Sequence, residues 1–172
     1  MHVLHYKLND LPEVLLYSHG NGSDIGYIHE LLSKLAYSIG INIISYDYEG
    51  YGLTNGINPS SSEEGCIRTI DIVYDYLISN GWKPCDIILY GVSTLKGNLR
   101  SIGTGPTVDL ASRVMDRIKG VVLQAPFTCI MKFDSEMKEV SKIFKSDEKI
   151  HSIKASVTVI HGKKRWDHPI FS

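Results

Sequence analysis

The sequence is poor in the features that mark several large classes of protein. It holds three cysteines, Cys66, Cys85 and Cys129, with no C-x-x-C pair among them. That excludes a disulfide framework and a cysteine-rich zinc centre and fits reduced thiols. Neither sign of charge dominates, since 18 Lys and Arg face 19 Asp and Glu for a formal net charge of −1. The longest basic run is Lys163-Lys164-Arg165, too short for the clustered surface that nucleic acid requires, so no nucleic-acid partner is expected. Long apolar runs are missing too. A stretch such as Val14 to Tyr17 falls far short of the roughly 20 residues of a bilayer span, so no transmembrane segment is expected. Met1 to Lys7 carries no apolar signal core, and His2 stands where N-myristoylation needs glycine. The expected location is therefore cytoplasmic. No repeat, linker or low-complexity tract divides residues 1–172, which are read as one domain.

What is present is an alternation of short apolar runs with helical periodicity, the pattern of a mostly parallel α/β sheet with helices on both faces. Strands are expected at Val14 to Tyr17, Ile41 to Tyr48, Asp86 to Tyr90, Gly120 to Ala125 and Ser156 to Ile160. Ile28, Leu31, Leu32, Leu35 and Ile39 recur at helical spacing and Gly40 stops that helix. A second helix starts at Ser62 with Ile67, Ile70, Val73, Tyr74 and Leu77 on one face, and another begins near Pro106. Met131 to Lys145 is also expected to be helical.

Two loops carry the chemistry. Ser18-His19-Gly20-Asn21-Gly22-Ser23-Asp24 follows the first of these strands. Its small residues let backbone N–H groups approach a substrate oxygen, although Asn-Gly is also an ordinary turn dipeptide. His19 is expected to shape the loop rather than act as a base. A different class of function is open here as well. Gly20, Gly22 and Gly26, with Asp47 ending the next strand, form a variant dinucleotide fingerprint of non-standard spacing.

The second loop follows Ile87-Ile88-Leu89-Tyr90, where Gly91 would open a G-x-S-x-G nucleophile turn. No such pentapeptide exists. The chain reads Gly91-Val92-Ser93-Thr94-Leu95, then continues to Arg100-Ser101-Ile102-Gly103-Thr104-Gly105-Pro106. Removing residues 92–99 leaves Gly-Arg-Ser-Ile-Gly, and removing 94–101 leaves Gly-Val-Ser-Ile-Gly. Either deletion restores the strained turn in which glycines flank a serine. An insertion into an older turn explains both, and Ser101 and Ser93 are the two candidate nucleophiles.

Leu16-Tyr17-Ser18-His19-Gly20-Asn21, Tyr46-Asp47-Tyr48-Glu49-Gly50-Tyr51-Gly52 and Ser101-Ile102-Gly103-Thr104-Gly105-Pro106-Thr107 resemble the Bem46-like branch of the α/β-hydrolase superfamily. That branch includes the type-17 α/β-hydrolase-domain proteins, which are protein depalmitoylases. Ala125-Pro126-Phe127-Thr128 and Val159-Ile160-His161-Gly162 fit as well, so the resemblance spans most of residues 13 to 162. It implies an α/β-hydrolase fold and a serine hydrolase of esters or thioesters, with lipidated proteins as a substrate class. By position, Ser101 matches the nucleophile and Ser93 competes with it. Asn21 and Ile102 supply oxyanion-hole N–H groups, with Thr94 replacing Ile102 if Ser93 attacks. No cofactor and no metal are implied. The resemblance adds the cytosolic face of membranes as a location.

The chain departs from the family pattern beyond its last strand. The triad acid belongs at the fifth position of His161-Gly162-x-x, but Arg165 stands there and Asp167 lies two residues late. Two residues of extended chain move a carboxylate by about 6 Å. The catalytic histidine of this fold follows the acid beyond a further helix and strand. Only His168 follows Asp167, so the domain is expected to be incomplete at its C-terminal part and its catalysis impaired. Asp47, Asp71 and Asp75 are expected as loop or helix-surface carboxylates. The alternatives to an active hydrolase are a non-catalytic binding module of the same fold and, further off, the dinucleotide-binding domain.

Overall fold

The computed structural model describes residues 2–8, 10–54, 61–93, 102–114, 118–127, 130–134 and 139–162. Eight strands are found among them: β1 (Val3–Tyr6), β2 (Val14–Ser18), β3 (Asn42–Tyr46), β4 (Ile87–Val92), β5 (Gly120–Gln124), β6 (Ile130–Asp134), β7 (Glu139–Ile143) and β8 (Val157–Ile160). The helices are α1 (Ile25–Ile39), α2 (Glu63–Ser79), α3 (Thr104–Arg113) and the single turn α4 (Ser146–Lys149). Six strands form one sheet in the order β1-β3-β2-β4-β5-β8, parallel except for β1. This is the α/β-hydrolase arrangement expected from the sequence.

Burial explains the strands. Every residue of β2 and β3 is buried, as befits parallel strands covered on both faces. On one face Leu16, Ile44, Tyr46, Leu89, Val121 and Leu123 pack with Ile70, Val73 and Leu77 of α2 and Val108 of α3. On the other, Leu15, Tyr17, Ile43 and Val92 pack with Ile28, Leu32 and Ala36, which recur every fourth residue along α1. α1 starts where Asp24 caps the Tyr27 amide at 2.8 Å and ends at Gly40, whose φ of 65° is the left-handed cap predicted for it. Ser62 caps α2 through the Gly65 amide at 3.0 Å.

Two elements depart from the sequence reading. β1 was not expected: its four residues alternate between exposed and half-buried and pair antiparallel with β3, a short edge strand that carries little apolar signal. The helix expected over Met131 to Lys145 is instead a hairpin, β6 pairing antiparallel with β7 from Ile130↔Ile143 to Asp134↔Glu139. Ile130, Phe133, Val140 and Ile143 favour strands, and local pairing outweighs the weak helical spacing. At the far edge β8 pairs with β5 alone among the described residues, leaving Val159 and Ile160 39% and 48% exposed.

The site depends on how closely β4, β2 and α3 meet. A Cβ built on Gly103 would lie 2.5 Å from the Ser18 carbonyl oxygen, 2.6 Å from that of His19 and nearer still to that of Val92. One on Gly91 would lie 2.6 Å from Thr107 Oγ1 and 2.7 Å from the Gly103 carbonyl. At Gly103 all three neighbours are backbone, which leaves nothing flexible to yield. Gly103→Ala is therefore expected to cost more than about 3 kcal/mol. Gly120→Ala, whose nearest neighbour would be at an ordinary 3.5 Å, should cost far less. Urea denaturation of both variants checks the contrast.

Candidate active site at the C-terminal ends of the strands

β2, β3, β4 and β5 end on the same side of the sheet, and the informative loops leave from those ends. The loop after β2 is held by the loop after β3. His19 is buried, its ring 4.7 Å from that of Tyr48 and 5.8 Å from that of Tyr51. Its Nδ1 lies 3.0 Å from the Gly20 carbonyl oxygen. A carbonyl only accepts, so Nδ1 carries the hydrogen. The other ring nitrogen, Nε2, lies 3.5 Å from Asp47 Oδ1. That same oxygen accepts the Ile25 amide at 2.9 Å, at the start of α1. Tyr48 donates its hydroxyl to the His19 carbonyl at 3.1 Å, and Tyr51 donates to Asn21 Oδ1 at 2.8 Å. Asn21 Oδ1 also accepts the Gly22 amide at 3.0 Å.

Burial alone would raise the Asp47 carboxyl, but the His19 ring and the Ile25 and Leu53 amides outweigh it and hold the carboxyl below its ordinary value. Burial also pushes the Tyr48 phenol well up, so it remains a neutral donor. Asp47 corrects the expectation of a loop-surface carboxylate, since it is 1% exposed. Its burial leaves no carboxylate free for a ribose, and Gly26 lies inside α1 rather than in the turn before it. The geometry does not suit a dinucleotide.

Ser93 stands at the end of β4. Its N–H donates to the Gln124 carbonyl at 2.8 Å, and its Oγ shares a hydrogen bond of 2.8 Å with Thr104 Oγ1. It is 3% exposed. Ile102 is half-buried against the core, and its carbonyl accepts the Gly105 amide at 2.9 Å. Ser101, Asp167, Thr94, Arg165 and His168 lie outside the described residues. Asp71 is half-exposed on α2 and bonds Arg113 at 2.7 Å, while Asp75 is exposed on the same helix. Cys66 is buried and its thiol is pushed up to about 12, chiefly by burial, which makes it a poor nucleophile. Cys66 and Cys85 are both free. No group of three or more metal-binding side chains converges among the described residues, and no helix there is long and apolar enough to cross a membrane.

A cavity of about 390 Å³ opens beside the loop after β2, bounded by Gly20, Asn21, Gly22 and Ser23 and walled by Tyr27, Leu31, Tyr90 and Gln124. Tyr90 donates to Gln124 Oε1 at 2.9 Å and its ring stacks on Tyr17 at 5.3 Å. Ala125, next in the chain, has a φ of 51°, an uncommon conformation for a residue with a side chain. Three residues that shape this end of the sheet escaped the sequence reading: Asp47 as a buried partner, Tyr51 as a clamp and Thr104 under Ser93. Asp47 and Tyr51 stand within the Tyr46 to Gly52 motif, but their partners are remote in sequence.

A mostly parallel sheet of this order, with a glycine-lined strand-to-helix crossing beside a His-Gly loop, defines the class: the chain belongs to the α/β-hydrolase superfamily. Its relatives place it with the type-17 α/β-hydrolase-domain proteins. It is 38% identical over 152 residues to human alpha/beta hydrolase domain-containing protein 17C, covering 86% of this chain and 42% of that protein. It is 36% identical to protein 17B of Xenopus laevis over 152 residues, 86% of this chain and 48% of that one. A protein of Acanthamoeba polyphaga mimivirus named as an α/β hydrolase is 32% identical over 161 residues, 91% of this chain and 57% of its own. The chain thus spans about half the length of the curated relatives it matches. No family model matches it. Among solved structures, an esterase of the bacterial hormone-sensitive lipase family superposes with a TM-score of 0.54 at 18% identity, over 74% of this chain and 44% of that one. A protein of Agrobacterium vitis S4 superposes with a TM-score of 0.57 at 17% identity, over 91% and 71%. These structural likenesses concern the fold.

The depressed Asp47 carboxyl has a consequence for stability. Its contribution is fully present above the unfolded-state value of about 3.9 and is lost as pH falls through the lower folded-state value. Asp47→Asn should cost about 2 kcal/mol at pH 7, the scale of a hydrogen bond to a charged group. It should also flatten the acid limb of the stability profile. Urea midpoints measured between neutral and strongly acid pH check both.

Proposed function

We propose that this chain carries the oxyanion side of a serine ester or thioester hydrolase. The observation that supports this most is the contact around Gly103. α3 begins directly against the Ser18 and His19 carbonyls, so the loop bearing Asn21 and the segment bearing Ile102 stand side by side. In acyl transfer a serine attacks the carbonyl carbon, backbone N–H groups hold the oxygen as it becomes negative, and water later releases the acyl group. Asn21 and Ile102 fill the donor role in this reading.

Ser101 is assigned as the nucleophile. It directly precedes Ile102-Gly103, whereas Ser93 is buried with its hydroxyl engaged by Thr104. Asp167 is the acid assigned to the triad. Likeness to the type-17 proteins supports a lipidated protein as substrate, and a place in the cytoplasm or at the cytosolic face of membranes. The competing reading is a non-catalytic module of the same fold. Arg165 at the position of the triad acid favours it.

Treatment of the folded chain with a fluorophosphonate, followed by mass-spectrometric mapping, separates the two. Labelling is expected at Ser101. Ser101→Ala should lower the labelling rate by more than about 10³-fold, while Ser93→Ala keeps it. Loss in Ser93→Ala alone moves the nucleophile to Ser93. A folded protein that takes no label is the non-catalytic module.

A further inference from the structure

The acyl-transfer reading gives Asn21 a role but leaves open why its peptide should face one way. Gly20, Asn21 and Gly22 form the most permissive backbone near the site, and a peptide unit between such residues can rotate. The Gly20–Asn21 peptide is trans, so its carbonyl and its N–H point in opposite directions. Whatever holds the Gly20 oxygen therefore directs the Asn21 N–H.

The group that holds it is the His19 ring. Nδ1–H donates to the Gly20 carbonyl at 3.0 Å, and the ring has little freedom to swing. It is buried against Tyr48 and Tyr51, with Asp47 Oδ1 3.5 Å from its far nitrogen. Asp47 is itself fixed by the Ile25 amide and lies against Gly52, where no Cβ would fit. Tyr51 holds the Asn21 side chain from the other side. The Asn21 N–H, turned away from the ring, meets no acceptor among the described residues, in a loop that bounds the cavity. An unpaired backbone donor in such a place is the group an oxyanion needs.

We propose that His19 and Asp47 are positioning residues, a buried latch that sets the direction of the Asn21 N–H by holding the Gly20 carbonyl. The catalytic consequence rests on the acyl-transfer reading, whereas the latch itself does not. Neither side chain touches substrate, and neither transfers a proton in the reaction.

The test compares His19→Leu, His19→Asn and Asp47→Asn in the ¹³C,¹⁵N-labelled full chain. Asparagine places its Nδ2–H where histidine has Nδ1–H, and leucine has no donor. In folded His19→Leu the Gly20 carbonyl resonance should move upfield and the Asn21 amide should change its hydrogen-exchange rate. The maximal rate of fluorophosphonate labelling should fall about 10²-fold, the scale of one lost oxyanion donor, with the affinity for the probe unchanged. His19→Asn should return both readouts toward wild type, which a packing role alone would not do. Wild-type Gly20 and Asn21 signals in folded His19→Leu overturn the proposal, as does a His19→Asn variant no better than His19→Leu. If the wild-type chain takes no label, the hydrolase reading fails and the two resonances decide the latch alone. If His19→Leu does not fold, Asp47→Asn decides: an unchanged Gly20 resonance there overturns the proposal, and a shifted one supports it.

Discussion

The structure hangs on one steric constraint, the meeting of three stretches of backbone at Gly103. The carbonyls of Ser18, His19 and Val92 all lie where a Cβ on this residue would stand. Interiors pack to crystal density and backbone yields little, so the contact admits only hydrogen there. It brings the end of β2, the end of β4 and the start of α3 to a single point. Gly91, pressed against Thr104 and Thr107, repeats the constraint from the strand side. Two glycines twelve positions apart thus do together what the glycines of an uninterrupted nucleophile turn do four positions apart.

Around that point the polar groups are stitched by side chains rather than by sheet bonds. Ser18 and Tyr46 share a buried hydrogen bond of 2.8 Å, and Ser45 donates to the Tyr17 carbonyl at 3.1 Å. The Asp47–His19 pair and Tyr51 continue the pattern beyond the strands. Buried polar groups are costly unless satisfied, and here the bonds from Tyr48 to the His19 carbonyl and from Tyr51 to Asn21 tie two otherwise independent loops together. Further from the site, Asp109 on α3 is buried and accepts from both Arg113 and Lys149, joining α3 to α4. These links keep the start of α3 pressed on the strands.

The covering of the sheet is uneven. Among the described residues α2, α3 and α4 pack on one face, and the other is covered by α1, which lies over the β1 and β3 side. Tyr90 and Gln124 therefore wall an open cavity, and α1 leaves Tyr27 and Leu31 74% and 57% exposed.

The parallel strands and the two long helices were legible because their signal is local. Ile28 and Leu32 repeat with the helical period, β2 and β3 carry the short apolar runs Val14 to Tyr17 and Ile43-Ile44, and Gly40 and Ser62 mark helix ends by chemistry that operates within a few residues. The β6–β7 hairpin was not legible, since strand pairing and helix compete closely over such a short, polar stretch. Nor was β1, whose existence depends on the edge of β3. The sequence by itself determined the class of fold and pointed to the loops at Asn21 and Ser93. Only the tertiary structure decided that Asp47 is buried beside His19, that Tyr51 reaches Asn21 and that Ser93 turns its hydroxyl to Thr104. Those contacts join residues 11 to 30 positions apart, and such contacts form only when the sheet brings its strand ends together, so no local pattern encodes them.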